Sequence, residues 1–234
     1  MALTYEYDTD VVMADGTVIK TTVTSDGNAV ERFLDEVRGD GDQGGLLAGI
    51  DTEWRYVHRG RRSGYRTAVL QLCVGHRCLV FHIVHADHVP DALRAFLASP
   101  DVRFFGVGVD GDVTRLSEDY GMKVDNAVEL TLLAAEVLSR KELVTAGLKT
   151  LTHEVMGVCI DKPKSVTMSK WDALPLSWKQ VQYACIDAFV SYEIGRLLLS
   201  GEGAEDAAIR ATISRFVSPF PGAPRMQPGW IPLP

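Results

Sequence analysis

Leu46-Leu47-Ala48-Gly49-Ile50-Asp51-Thr52-Glu53-Trp54 passes from an apolar lead-in to two carboxylates at alternate positions. The lead-in has the length and composition of a buried strand. Alternate residues of a strand share a face, so Asp51 and Glu53 leave the sheet on the same side. An unpaired carboxylate in a low-dielectric interior is costly or takes up a proton, and a cation is the simplest partner. Two hard oxygen donors suit Mg²⁺ or Mn²⁺. The alternative at this point is a strand that simply runs into a polar loop.

The chain around this stretch has 234 residues, 46% of them hydrophobic, enough for one large domain with a substantial core. Its formal net charge of -7 argues against a general nucleic-acid coating protein, because sequence-independent phosphate affinity comes from clustered Lys and Arg. A polyanionic substrate would need a local basic patch and metal. Cys73, Cys78, Cys159 and Cys185 form no CxxC pair and read as reduced thiols of an intracellular protein, in nucleus or cytoplasm. No run approaches a membrane span, and Met1-Ala2-Leu3-Thr4-Tyr5 lacks the pattern of a signal peptide.

Upstream, residues 3 to 24 alternate in a β manner around Ala14-Asp15-Gly16, which predicts a hairpin. Ala29, Val30, Phe33, Leu34 and Val37 fall at helical spacing after Ser25 or Asp26 as N-cap, and Gly39 to Gly45 reads as a connector. Downstream of Trp54, a polar loop is expected from Arg55 to Arg66. Two strands, Thr67 to Val74 and Arg77 to Ile83, would then complete an antiparallel meander. Further expectations are a helix from Asp91 to Leu97, a strand from Val102 to Phe105, a helix from Asp112 to Tyr120 closed by Gly121, and an extended piece near Met122 to Val124. Helices at Glu129 to Leu138, Gly147 to Met156 and Ser177 to Leu199 follow. Meander first, then strand and helix alternating, predicts a mixed sheet covered by helices. Six of the ten prolines lie from Pro219 onward, so the tail should be extended.

A second acidic site is Gly106-Val107-Gly108-Val109-Asp110-Gly111-Asp112. It satisfies G-x-G-x-x-G, yet three antiparallel-looking strands precede it, and Asp112 would repel a pyrophosphate at the helix start. A metal-facing aspartate or a plain N-cap at Asp110 or Asp112 are the competing readings. The third site is Tyr183-Ala184-Cys185-Ile186-Asp187, where phenol and carboxylate share a helical face at i and i+4 among apolar neighbours. Four carboxylates meeting in one place would repel unless divalent ions neutralise them, and a pair of ions is the known arrangement for phosphodiester cleavage.

The order Asp51-Thr52-Glu53, then the Gly106 to Asp112 run, then Tyr183 to Asp187, resembles the DEDDy 3′-5′ exonucleases. Arg66 to Cys73, Leu148 to Leu151 and Lys170-Trp171 extend the likeness, which is greatest to the Werner-syndrome-like exonuclease domain and its small stand-alone plant relatives. It covers residues 46 to 199. The resemblance implies an α/β, ribonuclease H-like (DnaQ-like exonuclease) fold, with a mixed central β-sheet flanked by helices and here an N-terminal β-hairpin. It implies two Mg²⁺ or Mn²⁺ ions on Asp51, Glu53, Asp112 and Asp187, with Tyr183 orienting water. It further implies release of 5′-mononucleotides from the 3′ end of single-stranded RNA or DNA. Some related plant proteins have lost such residues, and some are ring-shaped hexamers, so a homo-oligomer, a protein partner in RNA or DNA processing, and a weak or inactive binding module are carried alongside. Val113 departs from the large aromatic of the Werner-type domain. The resulting organisation is 1–45, hairpin and helix packed on or assembling the core; 46–199, exonuclease domain; and 200–234, short helix and proline-rich tail.

Weaker signals flank these motifs. Arg59, Arg61, Arg62 and Arg66, with Arg55, Tyr56 and Tyr65 among them, would suit a single-stranded backbone and its bases, or form a solvated loop. Trp54 lies beside the acids and is carried as a base contact, although packing is its ordinary role. Lys164, with Lys162 and Lys170, forms a second candidate phosphate patch. His82, His85 and His88 lack the setting of a zinc site.

Overall fold

The computed structural model describes residues 4–39, 45–59 and 62–200, with the backbone alone at 57–59, 62 and 63. Most of the expected connector, Arg61 and the tail from residue 201 lie outside the described residues.

Among the described residues seven strands form one sheet in the order β1-β2-β5-β4-β3-β6-β7. They are β1 Glu6–Val12, β2 Val18–Thr24, β3 Leu46–Arg59, β4 Arg62–Val74, β5 Arg77–Phe81, β6 Val102–Gly106 and β7 Ala127–Glu129. The pairs β1/β2, β3/β4 and β4/β5 are antiparallel, whereas β2/β5, β3/β6 and β6/β7 are parallel. The sheet is therefore mixed, as the element pattern predicts, and the N-terminal hairpin is continuous with it. At its turn Gly16 has φ +89°, a conformation glycine adopts without a Cβ penalty, and Asp15 accepts from the Thr17 N–H.

The two faces bury different side chains. Leu70, Leu72 and Ile50 meet α1 Gly27–Gly39, α2 Asp91–Leu97 and α3 Val109–Tyr120 through Leu34, Phe96 and Leu116. Val69 and Cys73 face α4 Leu130–Val137, α5 Leu148–Leu151 and α7 Trp178–Ser200 through Leu133, Leu151 and Val190. Cys73, Cys78 and Cys185 are buried free thiols and Cys159 is exposed. Among the described residues no helix is long and apolar enough to cross a membrane.

Several boundaries differ from the sequence reading. The polar loop expected from Arg55 to Arg66 is instead an arm in which β3 and β4 continue pairing as far as Arg59 and Arg62. Cross-strand pairs such as Tyr56 opposite Tyr65 extend the ladder where charge alone suggested a loop. The extended piece expected near Met122 is a strand only from Ala127 to Glu129, paired with β6. The helix expected from Gly147 to Met156 is a four-residue α5 followed by a π-turn, Thr152–Met156. The segment Lys164–Thr167, expected only as a basic patch, forms the short helix α6.

Contact between α7 and β3 depends on Gly49. A Cβ there would lie 1.9 Å from the Ala188 carbonyl oxygen and 2.6 Å from the Tyr192 amide nitrogen, both backbone atoms of α7. Helix and strand can touch only because this side chain is absent. Gly49→Ala is expected to lower stability by about 3 kcal/mol, the upper end of overpacking costs, as read by chemical denaturation. A change below about 0.5 kcal/mol would show that the contact yields without strain.

Candidate active site

Ile50 anchors β3 under α1–α3, so the alternation of the strand sends Asp51 and Glu53 to the α7 side and Thr52 to the α3 side. On α7 the close approach at Gly49 brings Asp187 to the same place. One carboxylate oxygen from each of Asp51, Glu53 and Asp187 lies within 4.8 Å of the other two. Glu53 is 7% exposed and Asp187 2%.

Burial raises the Asp51 carboxyl well above its ordinary range, and the charges of Asp112 and Asp187 raise it further. Glu53 is pushed up to about 10, first by burial and then by Asp51 and Asp187. Asp187 is raised by burial, with Lys162 opposing the shift. The Lys162 ammonium lies 2.6 Å from Asp187 Oδ2 and 5.1 Å from the centre of the Tyr183 ring. Burial alone would lower its pKa, but Asp187 and Asp51 hold it above the usual range.

Tyr183 sits one turn before Asp187 on the same face and is 7% exposed. Thr167 Oγ1 donates to its hydroxyl oxygen at 3.2 Å, and burial pushes the phenol up to about 12. Trp171, fully buried, packs against the ring at 5.9 Å between centroids. The loop holding Trp171 is fixed from the sheet: His82 Nε2 pairs with the Trp171 carbonyl at 3.0 Å, its Nδ1 with the Tyr5 hydroxyl at 2.8 Å, and His85 Nε2 with the Asp172 carbonyl at 2.7 Å. Both ring nitrogens of His82 are thus engaged in protein hydrogen bonds, in keeping with the reading of this trio as no zinc site.

Asp112 reaches the site from the other face of the sheet. Thr52 Oγ1 donates a short hydrogen bond to Asp112 Oδ1, and Arg115 Nη2 lies 2.7 Å from the same oxygen. Burial raises its pKa, and these two partners oppose the rise. Asp112 is therefore adjacent to the three clustered acids but held by its own partners. The N-cap of α3 is Gly108, not an aspartate. Glu129 Oε2 accepts from the Gly108 N–H at 2.7 Å and the Val109 N–H at 3.2 Å, so a carboxylate already fills the place where a dinucleotide pyrophosphate would dock.

Of the other predicted contacts, Trp54 and Arg66 lie on the arm formed by β3 and β4. Trp54 is half-buried, 4.4 Å from the Tyr65 ring centre and 6.0 Å from the Arg115 guanidinium. The Arg66 guanidinium lies 5.4 Å from the centre of the Tyr120 ring, and Arg55 pairs with Asp172. Lys164 is exposed on α6. Nothing is described of the Arg59, Arg61 and Arg62 side chains. Sequence reasoning missed Thr52, Arg115, Thr167 and Glu129, and it placed Lys162 in a phosphate patch although its ammonium faces Asp187. The signal for Thr52 was present, since a hydroxyl between two strand acids must face the opposite side.

The donor set of hard carboxylate oxygens, whose pKa values burial and neighbouring charges push upward, fits divalent cations such as Mg²⁺ or Mn²⁺. A pH dependence follows. Glu53 has an ordinary pKa of 4.5 and a folded value of about 10. Between these the folded protein keeps a proton that the unfolded chain has lost, so stability falls as pH rises. The melting temperature of EDTA-treated protein is expected to fall from about pH 5 to about pH 9, and Mn²⁺ to raise it more at the alkaline end. Glu53→Gln is expected to flatten that dependence, and an unchanged slope would remove Glu53 as its source.

Comparison with known proteins shows the family and the fold. A family model described as 3′-5′ exonuclease matches residues 27–200. The bifunctional 3′-5′ exonuclease/ATP-dependent helicase WRN of Mus musculus is 34% identical over 176 residues, covering 74% of this chain and 12% of that protein. A 3′-5′ exonuclease of Arabidopsis thaliana is 31% identical over 183 residues, covering 76% of this chain and 62% of its own. The chain thus spans less than two thirds of either relative. The crystal structure of the Aedes aegypti Nibbler EXO domain superposes with a TM-score of 0.67 at 16% identity, over 84% of this chain and 94% of that one, and shares the fold.

Proposed function

Because the chain belongs to the 3′-5′ exonuclease family, we propose that it hydrolyses phosphodiester bonds from the 3′ end of single-stranded RNA or DNA and releases 5′-mononucleotides. The observation that carries the reading is the group of three carboxylates beside Tyr183, two of them buried and Asp51 partly so, with Asp112 next to them. In this reading Asp51, Glu53, Asp112 and Asp187 hold two Mg²⁺ or Mn²⁺ ions. When bound, such ions supply charge neutralisation and a water made nucleophilic at neutral pH.

Each remaining residue has a part that its surroundings support. A phenol at about 12 stays protonated at neutral pH, so Tyr183 acts by donating or accepting a hydrogen bond to position water, not as a base. Thr167 fixes the direction of that hydroxyl. Lys162 supplies the counter-charge at Asp187 and Arg115 that at Asp112, where Thr52 adds a hydrogen bond. Arg59, Arg61, Arg62, Arg66, Trp54 and Lys164 are assigned to the substrate strand. Residues 46–199 are assigned to the exonuclease domain, 1–45 to packing on it, and 200–234 to assembly, as a homo-oligomer or with a protein partner in nucleus or cytoplasm.

A second reading is a nucleic-acid-binding module without turnover. It draws support from Lys162 and Arg115, which already neutralise Asp187 and Asp112 without added metal.

A 3′-labelled strand incubated with the protein and Mn²⁺ separates the two. The exonuclease reading expects mononucleotide release that EDTA abolishes. Asp51→Asn is expected to remove activity while the protein stays folded by circular dichroism. Tyr183→Phe is expected to lower turnover by about 100-fold, the lower range for a group acting on the reacting water. A folded Asp51→Asn protein with undiminished hydrolysis would sink the site assignment, and an intact strand with wild-type protein would favour the binding module.

A further inference from the structure

We propose that the β3–β4 arm is a stacking platform for unpaired nucleobases, built from Trp54, Tyr65 and Tyr56 and joined to the acids by Arg115. Its orientation toward a 3′ end rests on the exonuclease reading. The platform itself rests on geometry.

Trp54 and Tyr65 meet edge to face at 4.4 Å between ring centres, and Tyr65 meets Tyr56 at 5.2 Å. Tyr56 is 48% exposed and Tyr65 59%, so the series opens outward from a half-buried Trp54. Arg115 continues it inward: its Nη2 is 2.7 Å from Asp112 while its guanidinium carbon is 6.0 Å from the Trp54 ring centre. Trp54 and Tyr56 alternate with Glu53 and so share the face of Thr52 and Asp112, and Asp51 to Tyr56 spans about 17 Å at about 3.3 Å per residue, so the rings run outward from the Asp112 side of the site.

The three rings share a face because of a bulge. Glu53 pairs with Val69 but Trp54 pairs with Thr67, so Ala68 is an extra residue in β4. One extra residue reverses which side chains point to which face. If Ala68 paired with Trp54 in a regular ladder, Tyr65 would lie on the side opposite Tyr56 and Trp54; bulging Ala68 out keeps the three rings together. The Thr67 backbone next to the bulge is held by α3: its N–H donates to Asp119 Oδ2 at 2.7 Å and its carbonyl accepts from the Tyr120 hydroxyl at 2.8 Å.

The occupant follows from charge and chemistry. Residues 54–66 contain five arginines and no acid, in a chain whose net charge is -7. Aromatic residues interleaved in sequence with arginines suit a polyanion whose bases are unpaired, since every base has a π-face and a paired base keeps its faces inside the duplex stack. The ligand is therefore single-stranded nucleic acid of any sequence, RNA and DNA sharing the recognised chemistry.

Fluorescence anisotropy in EDTA tests this with labelled single strands of about ten nucleotides, RNA and DNA, beside a blunt duplex. Tyr56→Leu with Tyr65→Leu keeps apolar packing and removes the rings, whereas Tyr56→Phe with Tyr65→Phe keeps them. The Leu pair is expected to weaken single-strand binding by about 30-fold, with duplex binding little changed, and the Phe pair to bind within about 2-fold of wild type. Equal affinity of the Leu pair and wild type, a Phe pair as weak as the Leu pair, or a wild type that prefers blunt duplex would overturn the proposal. Melting temperatures of both pairs exclude a folding defect as the cause. A wild type that hydrolyses strands while the Leu pair binds normally removes the platform and leaves the exonuclease reading. A wild type that binds through the rings but never hydrolyses removes the exonuclease reading and leaves the platform.

Discussion

Carboxylates placed close together in a buried site repel one another, and the local structure is arranged around that repulsion. Asp51, Glu53 and Asp187 are brought together by a strand and a helix that touch at a glycine. Neither element can move away without losing the packing of β3 against α7. The fold therefore holds the acids in place, and cations reduce their mutual cost. Lys162 is one such cation and Arg115 another, each on a different acid. A site arranged in this way could hold a metal ion, because the fold itself fixes where the acids stand.

The strand β3 connects the two sides of this arrangement. Its odd residues carry charge toward α7, while Thr52 hands a hydrogen bond through to Asp112 on the α3 side. Asp112 thus belongs to the site without belonging to its helical face. The same α3 that carries Asp112 also carries Asp119 and Tyr120, which hold the backbone beside the β4 bulge. Its helix start is closed by Glu129 from β7, which leaves no room there for a second anion. One helix thereby sets an acid, a cation and the face of the arm.

Much of this could be read from the sequence, and for physical reasons. Alternation made Asp51 and Glu53 share a face, and helical spacing did the same for Tyr183 and Asp187. These are local periodicities, and they hold wherever a strand or helix forms. The mixed sheet was legible from the order of elements. What was not legible depends on contacts distant in sequence. Arg55 to Arg66 looked like a loop because charge outweighed β-propensity, yet cross-strand pairing of Tyr56 with Tyr65 kept it in the ladder. Lys162 looked like a phosphate contact because nothing local says which way a lysine in an irregular segment points. The N-terminal hairpin was visible as a hairpin, but its parallel pairing of β2 with β5 joins residues more than fifty positions apart.

Glycine and bulge are the two least conspicuous features and carry comparable weight. Gly49 sets how near α7 comes, and so whether Asp187 meets Asp51 and Glu53. The exclusion of Ala68 from the ladder sets which face Tyr65 takes, and so whether the arm is aromatic on the side that leads to Asp112. Neither residue has a functional group. A change at Gly49 acts through distance, while drawing Ala68 into the ladder would act through parity, turning one side of the arm over without altering its composition. The acids therefore need the fold for their separation, and the rings need it for their direction. A motif of carboxylates and aromatics alone specifies neither.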